Sequence, residues 1–565
     1  MNLSLFSALA SLLFIKKSVF KNTIIMIIKG NLIDIRHKEI YSAAIRIQEG
    51  KIIEINRLKD KLLDAPYILP GFVDAHVHIE SSMLTPTEFA RLAVVHGTVA
   101  SVSDPHEIGN VLGVKGVEFM IDNAKKTPFK CFFGAPSCVP ATIFETAGAM
   151  IDVADVDYLL QKKEIKYLAE MMNWPGVLNK DKAVFAKIAL AKKYGKPVDG
   201  HAPGLLGQQA SQYIEAGIST DHECFTFEEA ENKLKHGMKI LIREGSAAKN
   251  FEALVGLISE HYDNMMFCSD DKHPDSLVDG HINELVKRSL DKGIDLFKIL
   301  QVACINPVAH YQLDVGQLKI GDDADFIMID NLQSFTITHT YINGKCVAKN
   351  GESMLPRMTT SHPNNFKAVK KSKKQFKQIN TSDTIPVIEV VDGELITKRL
   401  DCTPKVVNGN NESDIKRDIL KITVVNRYEE NATPAIAFIK NFGLIKGAIA
   451  SSIGHDSHNI ICVGVNDKAI TRAVNLIIES KGGIVAVNGD TALLIRLPIA
   501  GLMTDQDGYT VATNYIEIDK MVKEMGCRLK SPFMSLSFMA LLVIPSLKLS
   551  DLGLFDGSEF KFISK

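Results

Sequence analysis

The strongest constraint on this chain is an apolar strand that stops at two histidines. Residues 67–77 have the pattern of a buried strand, and His76 and His78 stand at its end, one residue apart. Alternate side chains of a strand share a face, so both imidazoles, together with Asp74, point the same way. Two imidazoles placed like this can hold one metal ion. Taken alone, the pair is better explained as two unrelated histidines at a strand end, and only residues further along the chain favour a metal site.

The stretch from residue 70 to residue 314 alternates short apolar strands with helical segments, which is typical of parallel βα architecture. Eight units in this length match a TIM-like (β/α)8 barrel in number and size. A doubly wound open sheet is the alternative, because a sequence does not show closure. The eight strands are predicted at residues 67–77, 98–103, 130–134, 167–171, 197–200, 217–220, 239–242 and 265–269.

The barrel is predicted to be one part of an α/β protein with several domains. Residues 26–69 and 315–360 share a strand-and-turn pattern and are predicted to form a small β-sandwich, split by insertion of the barrel. Residues 361–565 are predicted to form a C-terminal α/β domain. The lysine-rich stretch at 367–377 is interpreted as a solvated linker or hairpin.

Residues 1–25 fall outside these patterns. Their apolar run is followed, not preceded, by Lys16 and Lys17, which is unlike a signal peptide, and it is too short for a confident membrane span. We interpret the segment as an extra N-terminal piece upstream of a start at Met26.

Composition narrows the class of partner. The 565 residues carry 65 basic and 66 acidic side chains, a formal net charge of -1, which gives no general reason to bind nucleic acid or an anionic membrane. A small neutral substrate fits better. The nine cysteines show no CxxC pairing, which argues against a disulfide framework and favours the cytoplasm. The additional domains offer surface for a homo-oligomer.

Polar side chains follow nearly every predicted barrel strand, at the end where TIM barrels carry their reactive groups. Imidazole and carboxylate ligands suit Mn, Fe or Zn. We predict two divalent ions with Glu170 as the bridge, and a single ion is the alternative. The predicted metal ligands are His76, His78 and Asp270 for one ion, His201 and His222 for the other, and Glu170 between them.

Longer strings around these residues resemble a known family. The pattern from Pro70 to His78, with the later histidines and Asp270, resembles the amidohydrolase superfamily. A narrower resemblance, to adenine deaminases of the bacterial type, runs from about residue 26 to the C-terminus. The strings that carry it include His78-Ile79-Glu80-Ser81-Ser82-Met83, Asp104-Pro105-His106-Glu107-Ile108-Gly109-Asn110, Gly200-His201-Ala202-Pro203-Gly204, Ser269-Asp270-Asp271-Lys272-His273-Pro274 and Gly454-His455-Asp456-Ser457-His458-Asn459.

The resemblance implies hydrolytic deamination of adenine to hypoxanthine and ammonia, with a metal-activated hydroxide attacking C6. In this scheme Asp270 takes the proton of the attacking water and passes it to the leaving amine, and Glu223 delivers a proton to N1. Two alternatives stay open, namely a hydrolase of another cyclic amidine or amide, and a non-catalytic barrel scaffold. The candidates for substrate contact or support are Glu80, Ser82, Asp104, His106, Asp271, His455 and His458.

The loop at 454–459 leaves two interpretations open. Its two histidines have no obvious packing role. The loop either reaches into the barrel mouth to close over the substrate or builds a turn inside its own domain.

Overall fold

The computed structural model describes residues 25–563. The extra segment predicted at 1–25 therefore lies outside the described residues, apart from Ile25. Within the described part of the chain, none of the helices combines the length and the apolar character needed to span a membrane.

The central domain is a closed barrel of eight parallel strands. Two hydrogen-bonded sheets, of five and three strands, are joined by backbone bridges between Val198 and Ile218 and between Val77 and Asp270. The TIM-like fold is thereby confirmed, and the open sheet is excluded. The strands in order are Phe72–Val77, Thr98–Ser103, Lys130–Ala135, Ile165–Met171, Val198–Gly200, Thr220–Asp221, Lys239–Arg243 and Met265–Cys268.

Helices connect the barrel strands and cover the outside of the ring, as parallel strand pairing requires. The principal ones are Pro86–Ala93, Val114–Ala124, Val153–Leu160, Lys182–Lys193, Gly207–Glu215, Phe227–Lys235, Ile258–His261, Ile282–Asp291 and Asn306–Tyr311. Further short helices lie at the carboxyl ends of strands two, four and eight, at His106–Leu112, Trp174–Leu178 and Pro274–Asp279.

The prediction of one strand over residues 67–77 is wrong, because the segment makes two strands in two different sheets. Tyr67–Pro70 pairs with strands of the neighbouring domain, and Phe72–Val77 begins the barrel. Gly71 lies at the break, where a Cβ atom would come within 2.3 Å of the Val99 side chain. Glycine is therefore needed for the close approach that lets the chain pass from one sheet to the next.

The segments before and after the barrel combine in one eight-stranded sheet. Its two halves share a core, in which Ile45 and Ile52 of the first segment lie in the same buried cluster as Phe326 and Met328 of the second. The strands are, in the order of pairing, Glu352–Ser353, Lys345–Lys349, Ile337–Ile342, Phe326–Ile329, Tyr67–Pro70, Ile25–Asp34, Glu39–Gln48 and Lys51–Arg57.

A second eight-stranded, mostly antiparallel sheet forms the C-terminal α/β domain. Helices Asp467–Ser480, Gly508–Glu524 and Pro532–Phe538 accompany it, and a small sheet follows at Leu547–Ser550, Gly553–Asp556 and Lys561–Phe562. Its strands are, in the order of pairing, Thr397–Cys402, Ile385–Val390, Ala435–Lys440, Ile419–Val425, Ile460–Gly464, Ala448–Ser451, Gly483–Asn488 and Thr491–Arg496.

The lysine-rich stretch is not simply a solvated linker, so that interpretation is wrong in part. Lys371 is buried, and its Nζ donates to the carbonyls of Glu430 and Ala432 at 3.1 and 3.0 Å. Phe376 is also buried and packs in the cluster around the helix Asp467–Ser480. The stretch is therefore part of the C-terminal domain, to which the Lys371 hydrogen bonds and the packing of Phe376 attach it.

Candidate metal centre

Six side chains converge inside the carboxyl end of the barrel. They come from five of the eight strands, and each is at most 6% exposed. They are His76 and His78 from the first strand, Glu170 from the fourth, and His201, His222 and Asp270 just after the fifth, sixth and eighth. The structure thus brings together all the residues that the sequence predicted as metal ligands.

The first group of donors is His76, His78 and Asp270. The Nε2 atoms of the two histidines are 3.2 Å apart, and Asp270 Oδ1 is 3.5 Å from the first and 3.1 Å from the second. On the other side of the His78 ring, Nδ1 lies 3.1 Å from the carbonyl oxygen of Asp104. When Nδ1 donates to that carbonyl, Nε2 turns a lone pair towards the other donors, as a metal ligand must.

Glu170 lies between this group and the second pair of histidines. One of its oxygens is 3.4 Å from His78 Nε2, and the other is 2.8 Å from His201 Nδ1 and 3.1 Å from His222 Nε2. Burial disfavours its ionised form, but His201 and His222 outweigh burial and hold the pKa of Glu170 well below its ordinary value. The carboxylate therefore faces the two groups of imidazoles with different oxygens.

The donor set fits a divalent metal. Metal–nitrogen and metal–oxygen bonds of about 2.0–2.2 Å place the ligand atoms of a tetrahedral site roughly 3.4 Å apart. The separations here, from 2.8 to 3.5 Å, are close to that value. Nε2 of His201 and Nδ1 of His76 are buried without a hydrogen-bond partner among the described residues. Nitrogen and oxygen donors without sulfur suit Mn, Fe or Zn.

Arg243 is a member of the site that the sequence reasoning missed. It ends the seventh strand, is 1% exposed, and donates from Nη1 to Asp270 Oδ2 at 2.7 Å. The same nitrogen contacts one oxygen of Glu223, and Nη2 donates to the other at 3.2 Å. Burial disfavours the ionised acid, but Arg243 together with the neighbouring histidines holds the pKa of Asp270 well below its usual range. The sequence does contain a signal that could have identified Arg243, because it is a charged residue at the end of an apolar barrel strand.

Asp74 shares the face of the two histidines but is not one of the converging donors. Its carboxylate accepts from the backbone N–H of Ser269 at 3.0 Å and faces His281 Nε2 at 2.8 Å. Ser269 directly precedes Asp270 in the chain. Asp74 therefore positions the segment that carries Asp270.

A narrow cavity lies beside these donors, and the C-terminal domain covers it. The barrel contributes Asp271 and His106, and the C-terminal domain contributes His455, Asp456 and apolar side chains to the same wall. His455 Nε2 is 3.0 Å from Glu107 of the barrel. The loop at 454–459 thus reaches the barrel mouth, and it also forms a turn in its own domain, in which the N–H of His458 donates to the carbonyl of Gly454 at 2.7 Å.

Other residues expected at the substrate lie behind the wall of this cavity. Ser82 donates to the carbonyl of Ile79 at 2.6 Å, and Glu80 accepts from the N–H of Ile108 at 3.2 Å. Burial raises the pKa of Glu80 to about 7. Asp104 accepts from the N–H of His106 at 3.0 Å.

Ser81, and not its neighbour Ser82, contacts a residue that lines the cavity. Its hydroxyl donates to Asp271 Oδ1 at 2.5 Å. Ser81 and Ser82 are adjacent in the chain, and nothing in their sequence distinguishes which of the two turns towards the site.

Comparison with known proteins gives matches over nearly the whole chain. The model of the amidohydrolase family matches residues 67–347, and the model of the adenine deaminase C-terminal domain matches residues 394–561. An adenine deaminase of Sulfurovum sp. is 54% identical over 539 residues, which is 95% of this chain and 99% of that protein. Adenine deaminases of Borreliella afzelii and Methanosarcina mazei are each 50% identical, covering 95% and 94% of this chain and 99% and 98% of their own lengths.

Proposed function

The chain belongs to the adenine deaminase family, and from this premise we propose that it catalyses the hydrolytic deamination of adenine to hypoxanthine and ammonia. The observation that carries the proposal is the position of Glu170, with one oxygen towards His78 and the other towards His201 and His222, beside a cavity that a family-specific domain covers. Membership of the family implies a divalent metal, and the donor set agrees with one.

We assign two divalent ions to the centre, and we favour Mn or Fe over Zn. His76, His78 and Asp270 would hold one ion, His201 and His222 the other, and Glu170 would contribute an oxygen to each. When bound, such ions lower the pKa of a water molecule towards neutrality and orient it for attack on carbon. The protein itself supplies the proton transfers.

Asp270 is the proposed base. Its Oδ1 faces the histidines and its Oδ2 accepts from Arg243, so the carboxylate is ionised and fixed in orientation. It takes a proton from the attacking water and gives it to the amine that leaves C6.

Glu223 is the proposed donor to N1 of the purine, and it regains a proton from the C6 hydroxyl when the carbonyl of hypoxanthine forms. It lines the cavity, and its Oε1 is 3.5 Å from His222 Nε2 and 3.6 Å from His201 Nδ1. Both of its oxygens contact Arg243. One of these contacts has to loosen for Glu223 to carry a proton, so Arg243 couples the proposed acid to the proposed base.

Asp271 is the proposed contact to the purine ring. It lies in the cavity next to Asp270, and Ser81 fixes one of its oxygens. A carboxylate accepts hydrogen bonds only, so it suits a ring N–H or the exocyclic amino group. Glu80, Ser82 and Asp104 are proposed as supports of the segments that carry His78 and His106.

The test of the proposal is ammonia release from adenine, measured beside guanine, cytosine and hydantoin with protein loaded with Mn²⁺. We expect adenine to be the preferred substrate. Activity on another ring without activity on adenine would favour a different cyclic amidine or amide hydrolase. Absence of bound metal, with no activity on any of the four after Mn²⁺ or Fe²⁺ is added, would favour a barrel that serves only as a scaffold.

We also propose a cytoplasmic location and a homo-oligomeric state. All nine cysteines, which lie within residues 131–527, are unpaired, in agreement with a reducing compartment. Light scattering of the purified protein tests the oligomeric state, and a monomer mass at micromolar concentration would contradict it.

A further inference from the structure

We propose that the chain binds a further divalent cation, separate from the metal centre, where the barrel meets the C-terminal domain. Its ligands are His106 and Glu107 of the barrel and His455 and Asp456 of the C-terminal domain, together called the domain-joining cluster. Each of the four is at most 4% exposed. None belongs to the ligand set of the metal centre, and the proposal does not rest on the proposed reaction.

The spacing of the donor atoms is that of a ligand shell. Glu107 Oε1 lies 3.0 Å from His455 Nε2 and 3.5 Å from His106 Nε2, and Asp456 Oδ1 lies 3.9 Å from His106 Nε2. A tetrahedral site with bonds of about 2.0–2.2 Å separates its ligand atoms by roughly 3.4 Å. Donor atoms of His106, Glu107 and Asp456 all lie within 4.8 Å of one another. One ion can therefore reach these three, and His455 Nε2 lies beside them through its 3.0 Å contact with Glu107.

Hydrogen bonds do not account for these contacts. Four atoms of the cluster are buried without a hydrogen-bond partner among the described residues, namely both oxygens of Glu107, His455 Nε2 and Asp456 Oδ2. The Glu107 oxygens and His455 Nε2 lie close to other polar atoms all the same. A protonated imidazole would satisfy Glu107 through a nearly linear N–H···O bond, and the contacts lack that geometry. The imidazoles of His455 and His458 pair with Glu107, but Asp456 Oδ2 has no partner, and a buried polar atom of this kind is costly. A cation among them would satisfy the whole set at once.

Neighbouring side chains hold the proposed ligands in place. His455 Nδ1 lies 2.7 Å from the hydroxyl of Ser537, which fixes the ring so that Nε2 faces Glu107. His458 Nε2 contacts the second oxygen of Glu107, and the Gly454 N–H, 3.4 Å from its Nδ1, holds that ring. Partners that orient imidazole and carboxylate ligands are typical of metal sites in proteins.

The position of the cluster gives the cation a role in joining the domains. All four ligands line the cavity beside the metal centre, two from each side of the boundary between the domains. His106 stands between the two sites, because its Nδ1 is 3.5 Å from Glu170 Oε1. A cation here would hold the C-terminal domain over the cavity. Two nitrogen and two oxygen donors suit Mn, Fe or Zn.

The test counts metal in protein stripped with a chelator and reloaded with Mn²⁺. The double variant His455→Asn/Asp456→Asn removes the ligands of the C-terminal domain, and His362→Asn, which changes an exposed histidine, is the matched control. We expect the double variant to bind one manganese fewer per chain than the wild type, and the control to bind the wild-type amount. Anomalous diffraction from wild-type crystals at the manganese edge should show a peak among the four ligands.

Equal manganese content in the wild type and in a folded double variant would overturn the proposal. So would anomalous peaks confined to the metal centre, and this second result decides the question if the double variant does not fold. Ammonia release from adenine is measured separately. Activity without a peak at the cluster would refute only the further site, and a peak without activity would refute only the proposed function.

Discussion

Arg243 donates to Asp270 Oδ2 at 2.7 Å from the same guanidinium nitrogen that contacts Glu223. One buried cation thus holds the proposed base and the proposed acid. All three side chains are at most 5% exposed, so the interaction is screened by little water. The two carboxylates depend on Arg243 for both orientation and charge balance.

Replacement Arg243→Met should damage both activity and stability. It leaves two carboxylates without their cation in a buried site, which costs about 3–5 kcal/mol of unfolding free energy. Displacement of Asp270 should lower kcat/KM for adenine by about 10²-fold or more. The control Arg46→Met breaks an exposed pair with Glu54 and should cost less than about 1 kcal/mol. Urea unfolding and ammonia release measure the two effects, and equal behaviour of the two variants would contradict the assignment.

Replacement Glu170→Gln tests the bridge. The amide offers one oxygen where the carboxylate offers two, so it cannot serve both groups of histidines. We expect the variant to retain fewer divalent ions than the wild type and to lose activity by at least about a hundredfold. Glu118→Gln changes a partly exposed carboxylate and should keep the wild-type metal content. An unchanged metal count in Glu170→Gln would show that the carboxylate is not a ligand.

Much of the barrel and the centre could be predicted because each ligand follows an apolar strand. His76, His201 and Asp270 stand where a buried strand stops, and in a parallel barrel such ends meet at one face. The pattern is local, so one sequence is enough to show it. The break at Gly71 escaped prediction because its cause, a close approach to Val99, comes from a different strand.

Contacts between distant segments could not be predicted in the same way. Arg243 at a strand end looks like a solvated charge until its partners Glu223 and Asp270 are placed around it. The contact of His455 with Glu107 joins two domains, and no local pattern specifies such a pairing. These are properties of packing, not of periodicity.

Lys233 should be essential to stability although it is not placed among the metal ligands. It is 1% exposed, and its Nζ donates to Asp221 at 2.5 Å, Glu229 at 2.8 Å and the carbonyl of Ala202 at 2.7 Å. Lys233→Met leaves both carboxylates buried without their cation, at a cost of about 3–5 kcal/mol.

The matched control for Lys233 lies on the same helix. Lys235 pairs with Glu231 at the surface and is 61% exposed, so Lys235→Met should cost less than about 1 kcal/mol. Urea unfolding of the two variants compares a buried pair with an exposed one directly. Similar midpoints would mean that the buried pair contributes no more than the surface pair.

Lys548 should make stability depend on pH. Its Nζ is buried and donates to the carbonyls of Leu395 and Phe538, which line the cavity, at 2.6 and 2.9 Å. Burial lowers the pKa of Lys548 from 10.5 to about 7. Between these two values the unfolded chain binds a proton that the folded protein does not, so this group makes the unfolding free energy rise with pH.

Because of this one proton, the unfolding free energy rises by about 1.4 kcal/mol per pH unit above pH 7. Below pH 7 the rise is absent, because Lys548 is protonated in both the folded and the unfolded state. Lys548→Met removes the titrating group, so the stability of the wild type relative to the variant should increase by that slope from pH 7.5 to pH 9. Lys349→Met, at an exposed lysine, should show no such difference. Parallel pH profiles for the wild type and Lys548→Met, from urea unfolding at each pH, would show that Lys548 keeps its charge in the folded protein.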